Sequence, residues 1–198
     1  KNIVIGYDIR LSSKELFNSL VKALFEENVE VTSINECTTP MLYFSSFHYK
    51  FDAAIMITAS HLGKNFNGLK ICTKDAVVLG YNNLGKYLEK EINNDFKENK
   101  INKKIKYLNI KEDYEDFILK NFKKTKLKIA VDSGNMMGYL DAKILEKLAN
   151  ITTLFNNPDG RMPNHDADPL IEKNFASLRK MMKKGNYDLG IAFDGDCD

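Results

Sequence analysis

Short apolar runs alternate along this chain with stretches whose apolar residues recur every three or four positions, the pattern of sheets covered by helices. Residues 2–7 read as a buried strand. A helix is expected from Ser12 or Ser13, either serving as N-cap, through about Glu27, with Leu16, Leu20, Ala23 and Leu24 on one face. Residues 29–34 predict a second strand, and Pro40 can open a short helix carrying Met41, Leu42 and Phe44. Residues 53–58 predict a central strand, Leu69 to Cys72 an alternating strand, and Leu84 to Phe96 a helix. From 97 to 106 almost every residue is Lys, Asn, Glu or Ile, a composition shift that suits a domain edge or an exposed helix end. The pattern then restarts. A helix over 111–122, a strand over 127–132, a Gly-containing turn, a helix over 139–148 and a strand over 151–155 are expected. A loop with Pro158, Gly160, Pro163 and Pro169 leads to a helix over 171–183 and a last strand over 188–193. The reading is two similar α/β units in series, residues 1–106 and 107–198.

Composition narrows the partners more than the fold. With 198 residues the chain can form one large domain or two small ones with real cores. A net charge of +2 supplies no bulk attraction to nucleic acid or membrane. No apolar run approaches the length of a membrane span. Cys37, Cys72 and Cys197 are far apart, with no CxxC pair, which argues against a zinc ribbon or disulfide framework and for a reducing, cytoplasmic setting. Nothing in the sequence speaks to oligomeric state. The chain opens at Lys1 without Met and stops at Asp198 in a loop-like stretch, so it is expected to be part of a longer protein, truncated at both ends.

Three places carry chemistry. Thr58-Ala59-Ser60-His61 follows the predicted strand at 53–58, and ligands of open α/β sheets bind beyond the carboxyl ends of strands. Ser60 could accept and donate a phosphoryl group, and His61 could contact phosphate or move a proton; the bland alternative is a loop bonded to its own backbone. Asp194-Gly195-Asp196-Cys197-Asp198 ends another apolar strand. Alternating carboxylates can converge on a hard cation such as Mg²⁺, whereas without one they repel. An acidic turn or a calcium loop are the alternatives. Lys70, in Asn67-Gly68-Leu69-Lys70, could stabilise phosphate charge or act as a base, or simply be an edge-strand lysine.

Taken in order, these strings resemble the α-D-phosphohexomutase family, in particular its bacterial phosphomannomutase/phosphoglucomutase branch. The serine loop is similar to Thr-[Ala/Gly]-Ser-His-Asn-Pro followed by Asn-Gly-[Phe/Ile]-Lys, and the acidic loop to Asp-Gly-Asp-x-Asp-Arg without its Arg. Gly6-Tyr7-Asp8-Ile9-Arg10-Leu11-Ser12 resembles a Gly-[Arg/Tyr]-Asp-x-Arg-x-Ser segment. Asp159-Gly160, Pro163-Asn164-His165 and Asp168-Pro169 resemble a further stretch of the family. The resemblance implies an α/β fold of two consecutive similar domains, mixed sheets sandwiched between helices, being the family's first two of four. It implies Ser60 as phosphate carrier, Mg²⁺ held by the Ser60 phosphate with Asp194, Asp196 and Asp198, and His61, Lys70 and Arg10 as further catalytic positions. It implies interconversion of hexose 1-phosphate and hexose 6-phosphate (mannose or glucose) through a 1,6-bisphosphate, glucose 1,6-bisphosphate being an activator.

The sequence departs from the family at Leu62-Gly63, which stands where Asn-Pro is usual, and it lacks an earlier Tyr-Asp-x-Arg motif. The family's third and fourth domains choose the sugar and bind its distal phosphate, so this stretch alone is expected to be inactive. Phosphoglucosamine mutase shares both loops and is the competing enzyme reading. A non-catalytic phosphosugar-binding relative, suggested by Leu62-Gly63, and a phosphatase using an aspartyl nucleophile are the others.

Overall fold

The structure, a computed structural model, describes residues 1–91 and 103–198. The first unit runs β1 (Asn2–Tyr7), α1 (Ser13–Glu26), β2 (Glu30–Glu36), α2 (Thr39–His48), β3 (Ala53–Ile57) and β4 (Leu69–Thr73). A stretch of π-helix at Tyr81–Gly85 leads into α3 (Lys86–Glu91), and β5 (Lys106–Tyr107) follows. The rest of the helix expected to Phe96, and the composition shift as far as residue 102, lie outside the described residues. The second unit comprises α4 (Lys111–Asn121), β6 (Lys128–Asp132), α5 (Gly138–Leu145), β7 (Asn150–Leu154), α6 (Ala176–Lys184) and β8 (Leu189–Ala192). Where a continuous helix was expected from residue 171, a 3₁₀ turn at Glu172–Phe175 precedes α6. Asn174 tightens it, its amide donating to the Ile171 carbonyl and its side chain to the Asp168 carbonyl.

The first sheet has the order β4-β3-β1-β2-β5, with β4 antiparallel and the other pairings parallel. The second is parallel throughout, β7-β6-β8. The division expected between residues 106 and 107 falls inside β5, which pairs with β2.

Alternation along the strands dictates which helix covers which face. In β1, Ile3, Ile5 and Tyr7 point to α1, where they meet Phe17 and Val21, while Val4 points to Met41 and Leu42 of α2. The buried face of α1 is therefore set by Phe17 and Val21 with Leu20 and Leu24, and not by the predicted Leu16 and Ala23; Leu16 is 39% exposed. Both stripes are apolar in sequence, and the ring of Tyr7, 5.2 Å from that of Phe17, decides between them. In β6 and β8, Ile129, Val131 and Ile191 face α5, and Gly190 on the other side leaves room for Leu178 and Met182 of α6. One apolar cluster joins the units, because Met137, Leu140 and Ile144 pack with Met41, Phe44 and Tyr114. Burying a side chain of that size is worth roughly 1.5–3 kcal/mol.

The chain leaves β1 over one face of the sheet and leaves β2 over the other. The carboxyl ends of β1 and β3 thus form a topological switch point, the crevice where such sheets bind ligands. Among the described residues no helix is long and apolar enough to cross a membrane.

Candidate active site

The serine loop sits at this switch point. The Thr58 amide donates to the Gly68 carbonyl at 3.0 Å, closing the loop, and the Thr58 hydroxyl donates to Asp8 Oδ2 at 2.9 Å. Asp8 Oδ1 also accepts from the Arg10 amide and the Ser13 hydroxyl. The two predicted capping serines are thereby drawn into the site: Asn67 donates to both hydroxyls, and Ser12, which does stand at the N-cap of α1, makes no side-chain capping bond. Burial pushes the Asp8 carboxyl above its ordinary range, although Ser13, Arg10 and Thr58 oppose the shift.

Arg10 is 2% exposed and lies under the loop. Its Nε donates to Asp8 Oδ2, its Nη1 to the carbonyls of Gly63 and Phe66, and its Nη2 to those of Ser60 and Leu62. A guanidinium has five N–H groups, and all are used. Arg10, expected as a catalytic residue, spends all five of these donors on Asp8 and on carbonyls of the serine loop. It also holds Leu62 and Gly63 by their carbonyls, so the loop is tied down without the usual Asn-Pro. Ser60 is thereby fixed at φ +50°, a conformation that costs a residue other than glycine on the order of 1–3 kcal/mol.

The acidic loop follows β8 and closes on the serine loop. Ser60 Oγ donates to Asp194 Oδ2 at 2.6 Å, while Asp194 Oδ1 accepts from the amides of Cys197 and Asp198. Gly195 is required by this approach, since a Cβ there would lie 2.5 Å from the Ser60 carbonyl oxygen. Asp196 is fully buried. Its Oδ2 takes a short hydrogen bond from the Thr39 hydroxyl and a 2.9 Å ion pair from Lys70, and its Oδ1 has no partner. Lys70 also reaches Asp198 at 2.7 Å and Ser60 Oγ at 3.3 Å. Burial works to lower the Lys70 pKa, but the bonds and charges of Asp196 and Asp198 outweigh it and hold the ammonium. Asp194 is pushed up by burial and, despite the Ser60 bond, by the charges of Asp196 and Asp198.

Ligand atoms of Asp194, Asp196 and Asp198 lie within 4.8 Å of one another. Three carboxylates face one ammonium, the donors are all oxygen, and one buried carboxylate oxygen is orphaned. That set fits a hard dication such as Mg²⁺. The Cys197 side chain is buried beside Asp141, and burial pushes its thiol well up. His61 is partly buried and has no hydrogen-bond partner among the described residues.

The structure thus brings Ser60, Lys70, Asp194, Asp196 and Asp198 into one cluster, with Arg10 behind the loop and His61 beside Ser60. Sequence reasoning missed the supporting roles of Asp8, Thr39 and Thr58. Asp8 lay inside a quoted motif, and Thr39 precedes the helix-opening Pro40, but no local pattern announces either role.

The family description Phosphoglucomutase/phosphomannomutase, alpha/beta/alpha domain I matches residues 1–103, and that of alpha/beta/alpha domain II matches residues 107–198. The chain belongs to the phosphoglucomutase/phosphomannomutase family and comprises two consecutive α/β domains of it. It is 35% identical to a phosphomannomutase of Methanocaldococcus jannaschii over 204 residues, covering 100% of this chain and 45% of that protein. It is 34% identical to a phosphoglucomutase of Neisseria gonorrhoeae over 203 residues, covering 99% of this chain and 43% of that protein. A solved phosphoglucomutase/phosphomannomutase family protein of Burkholderia thailandensis superposes with a TM-score of 0.84 at 28% identity, over 99% of this chain and 44% of that one. The chain therefore spans under half the length of the relatives it matches.

Proposed function

We propose that this chain carries the phosphoserine and metal-loop part of a cytoplasmic hexose-phosphate mutase, working on glucose or mannose phosphates. The observation that carries the reading is Ser60 Oγ, 2.6 Å from Asp194 and 3.3 Å from Lys70 at the switch point of the sheet. A phosphoryl group on Ser60 passes to O6 of a hexose 1-phosphate: the bond from phosphorus to Ser60 Oγ breaks, one to O6 forms, the O6 proton passes to solvent and Oγ takes a proton from Lys70. The 1,6-bisphosphate reorients and returns its 1-phosphoryl group: the bond from phosphorus to O1 breaks, one to Ser60 Oγ forms, the Oγ proton goes back to Lys70 and O1 is protonated from solvent, releasing hexose 6-phosphate. Lys70, held as an ammonium, is the group positioned to protonate the departing Ser60 oxygen. Arg10 and Asp8 keep that oxygen in place, and His61 is free to contact phosphate. Mg²⁺, held by Asp194, Asp196, Asp198 and the Ser60 phosphate, would neutralise phosphoryl charge during transfer. Glucose 1,6-bisphosphate would act as activator by rephosphorylating Ser60. The sugar-selecting and distal-phosphate groups are not among these residues, so this stretch alone is expected to turn over poorly.

The test is phosphopeptide mapping of the protein as isolated, with and without glucose 1,6-bisphosphate and Mg²⁺. Phosphate on Ser60, lost in Ser60→Ala, supports the mutase reading. Absence of phosphate there under every condition would leave a phosphosugar-binding relative as the better account.

A further inference from the structure

Asp196 is held from the opposite domain. Thr39 begins α2, in the serine domain, and it is fully buried, as is Asp196, 157 positions further on. Two contacts join them. The Thr39 amide donates to the Asp196 carbonyl at 2.9 Å, and the Thr39 hydroxyl donates a short bond to Asp196 Oδ2. Lys70 is the second partner of Oδ2, while Oδ1 is buried with none.

We propose that Thr39 is a positioning residue for the metal loop: its hydroxyl fixes the Asp196 carboxylate so that Oδ2 is occupied and Oδ1 is left free to ligate. This inference rests on reading Asp194, Asp196 and Asp198 as cation ligands. The physical argument is one of rotational freedom. A carboxylate can turn about its last bond and exchange its two oxygens, and only directed partners break that equivalence. Lys70 is a weak director, because its ammonium swings on a four-carbon stem and is shared with Asp198 and Ser60. The Thr39 hydroxyl has one proton to give, and it sits on the first turn of a helix whose start is fixed by Pro40 and by the Thr38 side chain, which accepts from the Met41 amide. Partners of this kind orient metal ligands and contribute to affinity without touching the ion. The same contact adds a further link, besides those of Ser60 and Lys70, between the serine domain and a metal loop whose three carboxylates come from the second unit.

The experiment measures Mn²⁺ binding by electron paramagnetic resonance, with Mg²⁺ competition, in the whole chain. Parent, Thr39→Val, Thr39→Ser, Thr39→Ala and Asp194→Asn are compared, and unfolding in EDTA screens each for a native fold. Thr39→Val and Thr39→Ala are expected to weaken binding about 10–100-fold, and Thr39→Ser, which keeps the hydroxyl, less than about threefold. Should Thr39→Val fail to fold, the Ser and Ala pair isolates the hydroxyl by itself. Parent-like affinity in folded Thr39→Ala would overturn the proposal, as would equal losses in Ser and Ala. Absence of binding in the parent would remove the metal-site reading itself, and the inference with it. Binding by the parent that Asp194→Asn weakens keeps that reading intact and leaves Thr39 to be judged separately.

Discussion

Ser60 Oγ donates a 2.6 Å hydrogen bond to Asp194, 134 positions along the chain, and with the contacts of Thr39 and Lys70 to Asp196 it joins loops of two separate sheets. Each of the two loops that meet here also holds one residue other than glycine in the left-handed region, Ser60 at φ +50° and Cys197 at φ +72°. Groups outside the loops, chiefly Arg10, Asp8 and Thr39, hold them in that arrangement.

Gly195 sets how closely the loops approach. An alanine Cβ would stand 2.5 Å from the Ser60 carbonyl oxygen and 3.1 Å from Arg10 Nη2, and neither the backbone nor a fully engaged guanidinium yields easily. Gly195→Ala is expected to cost about 1–3 kcal/mol in urea unfolding and to reduce phosphate incorporation at Ser60. Parent-like values for both would show that the approach is looser than the geometry implies.

Removing Arg10 takes one donor from each of four carbonyls of the serine loop and leaves Asp8 without its cation. Arg10→Met is expected to lose about 3–5 kcal/mol, the usual effect of orphaning a buried charge. Arg10→Lys should not restore it, because an ammonium cannot reproduce the planar fork. Equilibrium denaturation of the three proteins decides; full recovery in the lysine variant would contradict the geometry.

His165 introduces a pH dependence away from the metal loop. Its Nε2 lies 3.2 Å from Asp132 Oδ2 and its Nδ1 2.7 Å from the Asp166 carbonyl, so both nitrogens face acceptors. The Asp132 bond raises the pKa above 6.5, against the opposing effect of burial. A folded-state pKa above the unfolded one means stability that is fully present below about 6.5 and fades as pH rises through the folded value. The stability gap between parent and His165→Gln should therefore be widest near pH 5.5 and shrink toward about pH 8.5. A gap that stays constant over that range would mean that folding leaves the pKa of the ring unchanged.

All three cysteines are buried and free, and burial raises each thiol's pKa. A thiol-specific reagent such as Ellman's should react with none of them in the native chain and with all three after denaturation. Fast reaction of one native thiol would mark a part of the core that opens readily.

Much of the site was legible before the fold. Strand-end positions for Ser60 and Asp194 followed from apolar runs that stop at Thr58 and Phe193, and Lys70 stood out through the resemblance of Asn67-Gly68-Leu69-Lys70 to a family string. Local pattern failed where two answers were locally equal. The two apolar stripes of α1 could not be told apart without Tyr7 across the sheet, and Ser12 and Ser13 look like capping residues until Asp8 and Asn67 claim their hydroxyls.

The sequence by itself determined the two α/β units and the chemical types at the ends of their strands, because periodicity and residue identity are local properties of the chain. Only the tertiary structure decided that Arg10 binds four carbonyls of the serine loop, that Thr39 and Lys70 share Asp196 Oδ2, and that Asp196 Oδ1 is left without a partner. Those outcomes depend on which donors the fold brings to a buried acceptor from residues tens of positions away. Hydrogen-bond capacity is fixed for each residue, but how it is spent is settled only when the two domains close on each other.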